Sequence, residues 1–419
     1  MSQPRLAITI TFAAAIAVSL AACSAEPMPV PTPSASATPS GDGVLRIGTE
    51  FPVTGAASYL GPGQAAGVEA AIREINEAGG VNGKPVEVFH RDSGDASTGK
   101  AEESFADLTT KQVDVVIGPS SSALAERLFA TTAAAKVPLI TPAATSVRLS
   151  ELGKSGYLFR TVPSASLQGP AVAKLVNGGD KPEVALIYLS DDTGKAVRAS
   201  LTAAVKKLEG SLVVDTSFTA ATKDFAPIVE AVKAAAPDGV VLVSPFSAME
   251  QNKAIIAALS AAGYGGAKLW LTSENMADYS QALPAGLVKD VNGLLEGIDP
   301  PDTFKTRVKA ADPAVTSFLY AAESYDATIL AALAATVAGD DGGPAVARQL
   351  RAVSSGGIKC TSFAECLSVL ETRTDIDYDG LTGAISLDAQ GDPSPGHYGV
   401  YRYDAGNRFV RVGAVTASR

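Results

Sequence analysis

Little in this sequence could build reactive chemistry. Two histidines, one tryptophan and three cysteines stand among 419 residues. So few histidines argue against a metal centre or a histidine-based catalytic site. Aromatic residues make up only 6% while hydrophobic residues reach 46%, the profile of an Ala-, Val- and Leu-rich α/β core. Positive charge is in deficit: the formal net charge is −10, which makes nucleic acid and anionic membrane surfaces poor partners. The apolar run LAITITFAAAIAVSLAAC is too short and alanine-rich to favour a bilayer-spanning helix. What remains is a chain long enough for two or three ordinary domains.

That apolar run follows Arg5 and ends in LAAC, Leu20 to Cys23, which resembles the bacterial lipobox. The resemblance implies a signal peptide over 1–22, removed from the mature protein, and a lipid on Cys23 that holds the chain extracytoplasmically at the cell membrane. An ordinary signal peptide with an incidental cysteine is the plainer alternative. Residues 24–43, rich in Pro, Ser and Ala, cannot build a core and read as an extended tether. Cys360 and Cys366 then remain, and in an exported protein two cysteines this close are expected to form a disulfide. Closing so short a loop makes it a local clip of about 2 kcal/mol.

From Val44 onward, short apolar strands alternate with amphipathic helices. VLRIGTE precedes a helix expected at 62–78, with Val68, Ala71, Ile72 and Ile75 on one face and a Gly79-Gly80 stop. KPVEVFHR, a helix near 98–111, VDVVIG, a helix from about 122 and VPLIT follow. A second series starts near 164, with helices at 166–177, 194–208, 224–235 and 248–262 between EVALIYL, LVVDTSF, GVVLVS and KLWLT. A long helix is expected over 313–338, and hairpin-like strands end the chain, AISLDAQGD and HYGVYRYDAGNRFVRVGAV. Two strand–helix series predict an α/β protein of two doubly wound parallel-sheet lobes.

In such sheets ligands bind beyond the carboxyl ends of the strands, often at helix N-termini. VVIG runs into Pro119-Ser120-Ser121-Ser122 at such a place, and LITPAATS supplies Thr141 to Ser146 at the next strand end. Each loop alone reads as a turn with an N-cap; together they offer hydroxyl and N–H donors to one anion of carboxylate size. Glu274 in LWLTSENMAD again lies just past an apolar strand, suited either to a ligand ammonium or to a cap. Phe246 ends the strand before it.

The segments VTGAASYLGPGQAAGVEAAIREINEAGGVNGKPVEV, VVIGPSSSALA, VPLITPAATS and YLFRTVPSASLQGPAVAKL resemble the leucine/isoleucine/valine-binding proteins, type I periplasmic solute-binding proteins of branched-chain amino-acid ABC transporters. The likeness runs from about Val44 to Val415. It implies two lobes joined by a three-crossing hinge, lobe one being 44–163 plus 297–379 and lobe two 164–296 plus 380–419. It further implies that Ser122 hydrogen-bonds the ligand, that Ala143 and Thr145 hold an α-carboxylate, that Glu274 pairs with an α-ammonium, and that Phe246 is an aromatic contact. Leu60 and Thr193 stand where the family often carries aromatic rings, with Tyr59 next to Leu60 as a possible substitute. The implied partners are a small-molecule ligand, an amino acid first among them, and the membrane-embedded permease subunits of an ABC importer, served by a monomer without cofactor.

Other motifs fail on spacing. GPGQAAG, Gly61 to Gly67, is not GxGxxG and does not directly follow a strand. DIDYDG, Asp375 to Gly380, begins like an EF-hand loop, but the twelfth position is Ser386 rather than a bidentate Glu; it is expected to form the third crossing. His90 and His397 lie near no nucleophile motif, and no GxSxG elbow is present. Three other readings compete with amino-acid transport: an exported hydrolase using Ser122 with a distant base, a ligand-sensing receptor of the same fold, and a binder of a non-amino-acid small molecule such as an amide or aromatic acid.

Overall fold

The computed structural model describes residues 40–418 apart from 56 and 373–374. The expected signal segment, Cys23 and most of the tether lie outside the described residues.

The first strand–helix series builds a five-stranded parallel sheet from β1 (Arg46–Phe51), β2 (Glu87–Asp92), β3 (Val115–Ile117), β4 (Leu139–Thr141) and β5 (Leu158–Arg160), in the order β2-β1-β3-β4-β5. The second builds β6 (Glu183–Leu189), β7 (Ser211–Phe218), β8 (Gly239–Val243), β9 (Leu269–Leu271) and β10 (Asn292–Glu296), in the order β7-β6-β8-β9-β10. The two halves thus repeat one winding. Strands β3 and β8 are buried at every residue, as continuous Val/Ile/Leu runs must be when helices cover both faces. The chain then returns to the first half and adds a small sheet, β11 (Ile358–Cys360), β12 (Ile376–Gly380) and β13 (Gly383–Ala384). The hairpin β14 (Gly396–Tyr403) and β15 (Phe409–Ala417) finally extends the second sheet antiparallel beyond β10.

The helix at Gly61–Glu77 lies against the one at Ala321–Ala338. A Cβ added at Gly63 or Gly67 would fall 2.2 Å from the carbonyl oxygen of Ser317 or Ala321, so glycines four apart set how closely these segments approach. Every residue from Ala321 to Ala335 is buried, which makes this helix the centre of the first core with Ile72, Ile75, Ile329 and Leu333. The expected helix over 313–338 therefore starts eight residues late. Pro313 disfavours helical geometry at the residue before it, and Tyr320 takes φ +60° at the helix N-cap. A separate helix, Asp302–Ala311, precedes the break. Likewise, the helix expected at 166–177 is a 3₁₀ turn at Ala165–Leu167, a short helix at Gln168–Ala173 and a separate turn at Val176–Gly179 in which Asn177 and Gly178 are left-handed.

Ile376–Gly380 is a strand of the small sheet, parallel to β11, so DIDYDG is not the third crossing. Ile385 and Leu387 pack in the first core, AISLDAQGD contributes Ala384 to β13 and then only an isolated bridge from Leu387 to Pro393, and the chain rejoins the second sheet at Gly396. The three crossings meet around a small cavity lined by Thr161, Pro163, Gly297, Ile385, Pro395 and His397. Cys360 and Cys366 are joined, with their Cα atoms 5.2 Å apart, across the start of the helix at Phe363–Thr372. At the end of the first sheet where β1, β3 and β4 begin, Asp340 accepts the N–H groups of Ser40 (2.7 Å) and Gly41 (2.9 Å), and Asp341 those of Asp42 (3.1 Å) and Gly43 (2.8 Å).

Candidate functional site

The loops after β1, β3 and β4 gather at one end of the first sheet. Gly118 has φ +115°, and a Cβ there would lie 2.3 Å from the Glu50 carbonyl oxygen; this turn tolerates only glycine. The three serines that follow have three fates. Ser120 donates to Gln64 Oε1 (2.6 Å), Ser121 takes the extended N-cap position of the helix Ser122–Ala134, and Ser122 Oγ accepts the Ser146 N–H at 3.1 Å. This last bond fastens the loop after β3 to the loop after β4 and leaves the Ser122 hydroxyl proton to donate elsewhere. Thr141 Oγ1 donates to the Pro119 carbonyl (2.7 Å) and accepts the Ala144 N–H (3.1 Å), a second tie between the loops.

Arg160, missed from sequence, sets the orientation of that second loop. Fully buried at the end of β5, it donates from Nη1 to the carbonyls of Ala144 (3.3 Å) and Ser146 (2.9 Å) and from Nη2 to Ser150 Oγ (2.6 Å). With those carbonyls turned toward the guanidinium, the N–H groups of Ala143 and Thr145 have no acceptor among the described residues. The first half therefore presents a hydroxyl and backbone donors. Nearby, the Asp92 carboxylate accepts the N–H groups of Val53 (2.9 Å) and Thr54 (3.1 Å), fixing the root of the loop that carries exposed Tyr59 and buried Leu60.

The second half presents the opposite chemistry. Glu274 opens onto the end of β9 in a 3₁₀ turn, and Glu296, 5% exposed, ends β10 beside it. Gln168 joins them: its side-chain amide nitrogen lies 2.8 Å from Glu274 Oε1, from Glu296 Oε1 and from Ser273 Oγ. Ser273 Oγ donates to Glu296 Oε1 at 2.7 Å. The Oε2 atoms of both glutamates are shielded from water and have no hydrogen-bond partner among the described residues. Burial raises the Glu274 pKa, and burial with the adjacent Glu274 carboxylate pushes Glu296 up to about 8. Across from them, burial and the acids it faces (Glu296, Glu323, Glu274, with Tyr59) raise the Tyr320 hydroxyl well above its ordinary value. Burial likewise pushes Glu323 up to about 8.

Ser122, Ala143 and Thr145 are thus brought together on one half, and Glu274 stands on the other. Thr193 is half-buried in the first turn of the helix Asp192–Lys207, whose cap, Asp191, acts on Glu274. Phe246 begins the 3₁₀ turn after β8. At the rim, Arg148 contacts Glu126 (3.0 Å) on its own half and Asp192 (3.7 Å) on the other. Glu296, Gln168 and Tyr320 escaped sequence reasoning. Only Glu296 carried a signal, as a charge closing the apolar strand NGLLE.

One arrangement imitates a catalytic relay: Thr49 Oγ1 lies 2.7 Å from His90 Nδ1, and His90 Nε2 lies 2.8 Å from Glu69 Oε1. Thr49 is wholly buried within β1, so no substrate reaches it. Two similar lobes joined through three crossings, with donors on one face and carboxylates on the other, define the architecture of a solute-binding receptor. The chain belongs to the periplasmic binding protein family, whose sequence pattern matches residues 44–363; this is a family of solute-binding proteins, not of enzymes.

Relatives agree. The chain is 26% identical over 375 residues to the chemotactic signal transduction system substrate-binding protein BasB of Halobacterium salinarum, covering 86% of this chain and 88% of that one. It is 28% identical over 193 residues to the leucine-, isoleucine-, valine-, threonine- and alanine-binding protein of Pseudomonas aeruginosa, covering 46% of this chain and about half (51%) of that relative. The branched-chain amino acid transporter substrate-binding protein LivJ of Streptococcus pneumoniae, solved with isoleucine, superposes with a TM-score of 0.63 at 22% identity, covering 90% of this chain and all (100%) of LivJ. A solute-binding protein of an ABC transporter from Rhodopseudomonas palustris, solved with p-hydroxybenzoic acid, gives 0.64 at 16% identity, covering 90% and 98%. These likenesses show the type I periplasmic binding protein fold.

Proposed function

We propose that this protein is the extracytoplasmic substrate-binding component of an ABC importer and captures an α-amino acid, branched-chain or similar, between its lobes. The observation that carries this reading is the polarity of the cleft. Ser122 with the N–H groups of Ala143 and Thr145 suits a carboxylate, and Glu274 with Glu296 suits a cation. A zwitterion satisfies both faces, whereas a benzoate leaves the carboxylates without a counter-charge. Leu60 and Thr193 make a small, mostly apolar wall for an aliphatic side chain.

A thermal-shift screen tests this. Amino acids at 100 times Kd should stabilise by about 2.7 kcal/mol, while 4-hydroxybenzoate and sugars leave the melting temperature unchanged. Stabilisation by aromatic acids alone would replace the amino-acid reading with the aromatic-acid one. The likeness to BasB, extending over 86% of this chain, supports a second reading as a sensory receptor. Co-purification with a permease and ATPase, or with a membrane transducer, separates the two. In the same reading the protein acts as a monomer held to the membrane by a lipid on Cys23. Cys23→Ala should then release it into the soluble fraction, and unchanged membrane fractionation would refute the anchor.

A further inference from the structure

We propose that Glu296 is a second ligand-binding carboxylate, sharing one proton with Glu274 until a ligand's cationic group displaces that proton. The inference rests on the amino-acid reading above and deepens it. A single amide nitrogen, Gln168 Nε2, serves Glu274 Oε1, Glu296 Oε1 and Ser273 Oγ, each at 2.8 Å. It has two protons for three oxygens, so it cannot neutralise two carboxylates. Glu296 is 95% withdrawn from water by its 5% exposure, yet its Oε2 has no partner, and neither has Glu274 Oε2. Two such acids side by side in a site of low polarity do not both stay ionised without a cation.

Among the described residues, none of the main influences on the two carboxyls is a cation. Glu274 is influenced by Asp191, and Glu296 by Glu274. Tyr320, itself acted on by Glu323, faces the pair from the opposite lobe, and Tyr398 faces it from β14. Arg160 acts on Tyr398 and is already paired with Asp392, and Arg148 at the rim contacts Glu126 and Asp192. A ligand ammonium placed between the two Oε2 atoms supplies the missing charge, and the shared proton passes to the buffer. Glu296 in this role narrows specificity toward ligands with a cationic head.

Linkage fixes the sign. The empty pair binds one proton more than the occupied pair, so affinity rises with pH while that proton is held, by up to about tenfold per pH unit. The rise flattens near the value of about 8 assigned to Glu296. The test is isothermal titration of L-leucine into the full chain at pH 7 in phosphate, HEPES and Tris, with Kd measured from pH 5.5 to 8. The observed enthalpy should vary with buffer ionisation enthalpy in proportion to a released proton, and Kd should fall as pH rises. Glu296→Gln, confirmed as folded by its thermal transition, should bind L-leucine with a flat pH profile and buffer-independent enthalpy. L-leucine binding with equal enthalpy in all three buffers overturns the shared proton but leaves the amino-acid reading standing. A pH slope unchanged in Glu296→Gln overturns the role of Glu296. Failure of L-leucine and every other amino acid to bind overturns both readings.

Discussion

Arg160 Nε donates to Asp392 Oδ1 at 2.6 Å, with both side chains out of reach of water. Asp392 lies in the segment that leads into the third crossing, and Arg160 also holds the Ala144 and Ser146 carbonyls. One guanidinium therefore connects the hinge to the loop proposed to meet a ligand carboxylate. Removing one partner of a buried pair leaves an uncompensated charge, so Asp392→Asn should destabilise by about 3–5 kcal/mol. Arg160→Lys keeps the charge but loses the planar fork, and amide exchange at 143–146 should accelerate. Equal exchange rates in Arg160→Lys and wild type would show that the loop holds itself.

The two faces of the cleft should respond unequally to mutation. Ser122→Ala removes one hydrogen bond to a charged group, worth about 1.5–3 kcal/mol, and should weaken amino-acid binding ten- to a hundredfold. Glu274→Gln leaves an ammonium facing a poorer site, and truncating one partner of a buried charge pair costs about 2–5 kcal/mol or more. Titration calorimetry should therefore rank Glu274→Gln below Ser122→Ala, both folded. Wild-type affinity in Glu274→Gln would reduce that residue to a cap.

Glu50 offers a second pH test, on stability rather than binding. It is fully buried in β1, neither carboxylate oxygen has a partner, and burial, with Glu102, pushes it up to about 8. The folded protein therefore keeps the Glu50 proton over a range where the unfolded chain has lost it. Its destabilising effect is absent below about pH 4.5, grows as pH rises, and levels off above about 8. Glu50→Gln should match wild type at pH 4.5 and exceed it by roughly 2–4 kcal/mol at pH 8. Denaturant melts at the two pH values measure the gap, and a gap independent of pH would rule out Glu50 ionisation as its source.

Mass spectrometry of unreduced peptides should find Cys360 joined to Cys366. Reduction should lower stability by about 2 kcal/mol without changing ligand affinity, since the clip lies in the small-sheet region away from the cleft loops. Two free thiols in the exported protein would refute the pairing.

The parallel-sheet core was legible because β3 and β8 are apolar without interruption, and a strand buried on both faces leaves that mark. EVALIYL coincides with β6, and HYGVYRYDAGNRFVRVGAV closes as a hairpin. Periodicity failed where backbone geometry overruled it. Val315 and Phe318 sit at helical spacing from Ile329, yet Pro313 and left-handed Tyr320 keep the segment between them out of the helix. The donor loops were visible because Gly-Pro-Ser runs after apolar strands sit at a known place in such sheets. The Glu274–Glu296 pair was not, because β9 and β10 become neighbours only when the second sheet forms. Arg160 was hidden for the same reason: its partner is 232 residues away.

The anchorage of residues 40–43 on Asp340 and Asp341 has a mechanical meaning. A pull along the chain before residue 40 would reach the body through four peptide N–H groups gripped by two carboxylates, at the end of the first sheet where β1, β3 and β4 begin, opposite the loops that follow them. Were the chain held there, the first half would be the stator and the second the rotor, with no load carried through the crossings.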